Sequence, residues 1–190
     1  MAERRVRAPV IQLRAVIVGL AASVVAGCFY ADDPLIPRRH AQEPFAEGHY
    51  VHAPVDPENG EEWAGSTWEG EIRYTRDRRY RSNAENFPHQ NARFRSLGGN
   101  VYLAEIPDRD GEDIYSYGLA WLYEGGVITY RAPHCSDLAD AMRTELGIAM
   151  DQEGLCRLDD LETVMNAMTA WLEAHQDETL RFDGIYRLVE

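Results

Sequence analysis

The chain has 190 residues, enough for one domain of ordinary size, and its 45% hydrophobic and 27% charged content is that of a globular protein. A formal net charge of −13 repels phosphate backbones, which argues against nucleic acid as a partner. All 19 basic residues are arginine, so Schiff-base lysines and the lysine of a phosphate-binding loop are excluded.

Arg4, Arg5, Arg7 and Arg14 precede an uncharged run from Ala15 to Gly27, and the run ends in Val25-Ala26-Gly27-Cys28. A basic start, a short apolar stretch and small residues form the layout of an export signal. The last four residues resemble the lipobox of bacterial lipoproteins. That resemblance implies a signal peptide over residues 1–27, cleavage before Cys28, and lipid attachment on the Cys28 thiol. It places the folded part in the cell envelope, facing the periplasm, with the membrane as partner. By analogy with enterobacterial lipoproteins, Phe29 after the cysteine favours the outer membrane over the inner one. The alternative is a retained membrane helix. Its 17 uncharged residues, Ala15 to Ala31, would rise roughly 25 Å against a hydrocarbon core of about 30 Å. Residues 1–27 hold four of the basic and one of the acidic residues, so the mature chain carries a net −16.

Residues 28–47 contain Pro34, Pro37 and Pro44 without clear periodicity, and read as a tether between membrane and domain. Residues 48–190 read as one α+β domain. Alternation and turn residues predict strands over 48–55, 68–76, 93–97, 101–106, 114–123 and 127–132. The Gly125-Gly126 pair closes a hairpin between the last two. Short turns between neighbours imply an antiparallel meander.

After Pro133 the period becomes helical. Ser136 is a plausible N-cap for a first helix stopped by Gly147. Asp159 with Glu162 has capping-box spacing for a second, in which Leu158, Leu161, Met165, Met168 and Leu172 recur every three or four residues. Both helices are expected to pack on the sheet, and residues 182–189 to return to it as a last strand. With Cys28 lipidated, Cys135 and Cys156 form an even pair, which in an exported chain reads as a disulfide. A metal pair at His134-Cys135 and a nucleophilic Cys135 are the competing readings.

Two features are candidates for binding. Arg73, Arg76, Arg78, Arg79, Arg81, Arg93 and Arg95 gather within 23 residues of an acidic chain. They would suit an anionic envelope component or an envelope protein, or else form a solvated face paired with carboxylates. The bulky residues Tyr115, Tyr117, Leu119, Trp121 and Tyr123 share one strand face, while Ile114, Ser116, Gly118, Ala120 and Leu122, mostly small, lie on the other. The bulky face would fill a core or line a ligand groove, and the small face would admit a helix.

Other chemistry is not legible. Asp108, Asp110, Glu112 and Asp113 around Gly111 miss the calcium-loop spacing, because Leu119 stands where the chelating glutamate belongs. His49 and His52 point to opposite faces of their strand, and His89 and His175 have no informative spacing. No metal or cofactor is implied, and no nucleophile–base pair is visible. The expectation is therefore a structural or interaction module of the envelope, with a small apolar-ligand carrier and an envelope hydrolase as alternatives.

Overall fold

The computed structural model describes residues 29–63, 65–108 and 114–189. The residues read as a signal peptide, Cys28 read as the lipid site, and Asp110, Glu112 and Asp113 of the acidic turn lie outside the described residues. Glycine-bearing turns cut the chain into short strands that pair with their neighbours. They are β1 (Phe29–Ala31), β2 (Gly48–Pro54), β3 (Trp68–Tyr74), β4 (Tyr80–Ser82), β5 (Arg93–Gly98), β6 (Val101–Pro107), β7 (Tyr115–Tyr123) and β8 (Val127–Arg131). After helix α1 (Asp140–Glu145) come β9 (Cys156–Arg157), helix α2 (Leu161–Ala174) and β10 (Gly184–Val189). The result is a mixed α+β fold dominated by sheet.

Strands β2, β3 and β4 form one antiparallel run, and β5 to β8 form another. β10 joins the two runs by lying antiparallel between β8 and β2, rather than following the meander at its edge. The far edges meet through the bridge Tyr80–Ala92, whose Tyr80 N–H donates to the Ala92 carbonyl at 2.9 Å. Eight strands thus wrap into a ring. Side chains alternate across each strand, so every strand supplies one set to the interior and one to the outside.

The interior set is Tyr50, Ile72, Tyr80, Phe94, Ala104, Ala120, Ile128 and Tyr186, with Phe87 entering from the loop between β4 and β5. The outer set on β6 and β7 is Leu103, Tyr117, Leu119 and Trp121, which packs with Val164, Ala167, Met168 and Trp171 of α2. Those four α2 residues follow i, i+3, i+4, i+7 spacing and form the buried stripe. Leu161, Met165 and Leu172 flank it, half-buried. Each fully buried large apolar side chain contributes about 1.5–3 kcal/mol. The N-cap of α2 is Asp160, one residue later than the capping-box pattern indicates. Its carboxylate accepts from the Thr163 N–H at 2.8 Å.

Two expectations need correction. Only α2 packs firmly on the sheet. The first helix is six residues long, begins after Ala139 rather than Ser136, and has no fully buried residue. The residues read as a tether are part of the fold from Phe29 to Gln42. β1 pairs with β7 and lies parallel to β9, and Phe29, Ala31, Ile36 and Ala41 are buried. Prolines 34 and 37 break the strand without releasing the chain, because the next backbone groups find partners on the sheet.

The bridge Cys135–Cys156 is formed, with Cα atoms 5.7 Å apart. Cys156 opens β9 beside Phe29, so the disulfide joins the segment before α1 to the layer that holds β1. Closing its 21-residue separation contributes about 3 kcal/mol on the chain-entropy account.

Candidate functional site: a cavity inside the ring

Strand β7 supplies the geometry that opens the interior. Of its inward residues Ser116, Gly118, Ala120 and Leu122, the first three are small, so that stretch of the wall does not fill the ring. A cavity of about 80 Å³ remains, lined among others by Phe94, Ala104, Ser116, Ala120, Ile128 and Tyr130. The small face therefore borders empty space and the bulky face meets the helix, the reverse of the pairing that side-chain size suggests.

Polar groups gather where β2, β8 and β10 run side by side. His52 on β2 faces Tyr186 on β10, which faces Ile128 on β8. One step along, Gly184 separates Pro54 from Tyr130. A Cβ at Gly184 would sit 2.5 Å from the Tyr130 ring, so only glycine lets that ring lie across β10. The Tyr130 hydroxyl thereby reaches His52 Nε2 at 3.0 Å. His52 is 2% exposed and enclosed by the rings of Trp68, His89, Tyr130 and Tyr186. Burial first, and the His89 charge second, push its pKa down to about 3, so the imidazole is neutral. Burial, aided by Asp183, also raises the Tyr130 phenol above its ordinary value, so it keeps its proton.

The loop between β4 and β5 covers this region. His89 and Asn91 adopt left-handed backbone conformations at φ 56° and 63°, each costing about 1 kcal/mol or more. Fixed contacts offset this strain. His89 Nδ1 lies 2.5 Å from the Tyr186 hydroxyl, and the Asn91 carbonyl accepts from Arg79 at 2.9 Å. Gln90 caps the loop through the Ser82 N–H and the Ala84 carbonyl. Arg131 and Asp183 both line the cavity and are paired at 2.5 Å.

The residues singled out from sequence fall elsewhere. Tyr117 and Trp121 are packed among the outer core residues that include α2, and are closed to a ligand on that face. Tyr115 is half-buried beneath the Arg79 guanidinium, 5.9 Å from its ring centre. The arginines are largely committed to the first folded segment. Arg78 donates to the Ala41 carbonyl, Arg93 to that of Ile36 and Arg95 to that of His40. Arg79 also contacts Asp77, and Arg81 binds Asn91 Oδ1 at 2.5 Å. Arg73 and Arg76 are exposed side chains. Arg78 and Arg79 thus hold the fold together, and their replacement would not report on partner capture alone.

A buried carboxylate was not singled out by sequence. Arg93, Glu105 and Tyr117 sit opposite one another across β5, β6 and β7. Glu105 is fully buried. It accepts from the Ile36 N–H at 2.7 Å and the Tyr117 hydroxyl at 3.2 Å, and lies 3.7 Å from Arg93. Among the described residues, no group of three or more His, Cys, Asp and Glu is placed to hold a metal ion. His49 points outward to Glu69 and Glu71 while His52 points inward, as their spacing requires. No protein-family model, curated protein or solved structure matches the chain.

Proposed function

We propose that this is a small-ligand carrier of the bacterial cell envelope, held at the membrane by lipid on Cys28, that binds a compact, mostly apolar molecule inside its ring of strands. One observation carries the reading. The β7 wall presents Ser116, Gly118 and Ala120 before it reaches Leu122, and about 80 Å³ is left unfilled among aromatic and aliphatic side chains. Protein interiors are otherwise packed without voids of this size, and an apolar hollow with a few polar groups is the ordinary form of a ligand site. Gly118 is small for a structural reason, since a Cβ there would meet the Arg131 carbonyl oxygen of β8 at 2.9 Å. At Ser116 and Ala120 larger side chains would add packing energy, and a purely structural role gives no reason for small ones.

Toluene titrated into the protein should shift the methyl resonances of Ala104, Ala120 and Ile128 in a saturable way. Ala120→Leu, which fills the hollow, should abolish the response while leaving the fold intact. Shifts confined to surface residues, or none up to the solubility of toluene, count against the carrier reading.

The lipid anchor is a separate part of the proposal, supported by the leader and Val25-Ala26-Gly27-Cys28. Because Phe29 is already buried in the sheet, acyl chains on Cys28 would leave directly from the edge formed by β1 and β9. The domain would then rest against the membrane instead of standing off it. Cells fed an alkyne palmitate analogue should label the wild-type chain and not Cys28→Ala. Equal labelling of the two would remove the anchor.

A further inference from the structure

From the hydrogen bonding around His52 we infer that the cavity selects a neutral ligand with a hydrogen-bond acceptor, a carbonyl or ether oxygen, which takes the proton of the Tyr130 hydroxyl. The inference rests on the carrier reading and adds the chemical class of the ligand.

His52 Nδ1 is buried and has no hydrogen-bond partner among the described residues. A neutral imidazole carries its proton on one nitrogen. Were it on Nδ1, a buried N–H would be left without an acceptor, the rarer and costlier kind of orphan. With the proton on Nε2, only a lone pair is left over, and the Nε2–H donates to Tyr130 Oη across the 3.0 Å contact. The phenol then accepts from His52 and keeps its own proton to give. Tyr130 lines the cavity, its ring held over Gly184 so that it cannot swing away through β10. A ligand atom in the hollow is the natural receiver. The two arginines lining the same space are both matched, Arg131 by Asp183 and Arg81 by Asp77, so no unpaired positive charge calls for an anion there, and the acidic chain disfavours one. A neutral oxygen on an apolar body is what remains.

The test uses two molecules of the same shape, cyclohexanone and methylenecyclohexane, with the full-length chain in detergent. Tyr130→Phe should weaken cyclohexanone about three- to tenfold, the range for one hydrogen bond, and change methylenecyclohexane by less than about twofold. Parallel changes in both would overturn the acceptor assignment while leaving the carrier reading standing. Failure of both molecules to enter the wild-type protein would instead remove the carrier reading, and the inference with it. Tyr130→Phe also deprives His52 Nε2–H of its acceptor, which costs stability, so the wild type supplies a second readout. The infrared carbonyl stretch of bound cyclohexanone should fall below its value in alkane solvent; an unshifted band overturns the inference.

Discussion

Replacing Arg93 by alanine is expected to destabilise the protein by about 3 kcal/mol at pH 8, and by progressively less as the pH falls. Arg93 is the cation beside Glu105, a carboxylate with no exposure that accepts from the Ile36 N–H. Burial raises the Glu105 pKa, and the Ile36 N–H and the Arg93 charge hold it back. A carboxyl whose folded value is raised binds its proton more readily when folded than when unfolded. Its contribution is therefore favourable below the unfolded value and is lost as the pH rises through the folded one. Removing Arg93 moves that folded value further up, so the penalty is greatest on the alkaline side. It also takes a donor from the Ile36 carbonyl. Denaturant unfolding of the wild type, Arg93→Ala, Glu105→Gln and the double variant between pH 5 and 8 measures the coupling. In the Glu105→Gln background, Arg93→Ala should cost far less, and its pH dependence should disappear. A cost independent of pH in both backgrounds would show that Arg93 matters only through its backbone contacts.

Acid is expected to weaken the fold from the other side of the sheet. His52 titrates near its ordinary value of 6.5 when unfolded, but only at about 3 when buried among Trp68, His89, Tyr130 and Tyr186. For a group whose folded value is depressed, the stability is complete above the unfolded value and is lost as the pH falls toward the folded one. The window therefore runs from about pH 6.5 down to about 3, with a slope of up to about 1.4 kcal/mol per pH unit and a loss of about 3 kcal/mol by pH 4.5. Glu105 acts in the opposite direction over part of this range, so the comparison with His52→Gln is the decisive one. That variant should be less stable at pH 7.5 and show a shallower decline between pH 6.5 and 4.5. Identical slopes in the two proteins would mean that His52 is not the group being protonated.

Much of the local structure was readable from residue order. Alternation placed β2, β3 and β5 to β8 within a residue or two of their ends, and the last strand began two residues later than expected. Gly125 and Gly126 were recognisable as a turn because glycine tolerates positive φ, and both adopt it, at 76° and 73°. The three shortest strands were not, since β1, β4 and β9 hold two or three residues each and show no period. β1 follows a greasy leader and is followed by Pro34, so its surroundings resemble a linker. What makes it a strand is the free edge of β7 and the arginines that grip the chain beyond it. The His52–Tyr130 contact joins residues 78 apart, and His89 meets Tyr186 across 97. No spacing rule spans such distances. Gly184 was the faint local trace of this site, a glycine inside a strand, which marks close approach by another group.

By itself, the sequence determined which residues share a face of each strand, where the turns fall, that α2 is amphipathic, and which two cysteines beyond Cys28 are available to pair. Those properties depend on periods of two and 3.6 residues and on backbone preferences that act over a few bonds. Only the tertiary structure decided which face of β7 looks inward, because alternation is symmetric and the choice depends on whether α2 or the opposite wall of the ring comes to lie against it. Ring closure between β4 and Ala92, the insertion of β10 between β8 and β2, and the burial of His52 and Glu105 follow from that choice. Each depends on partners that chain folding brings together, and none of them on neighbours along the chain.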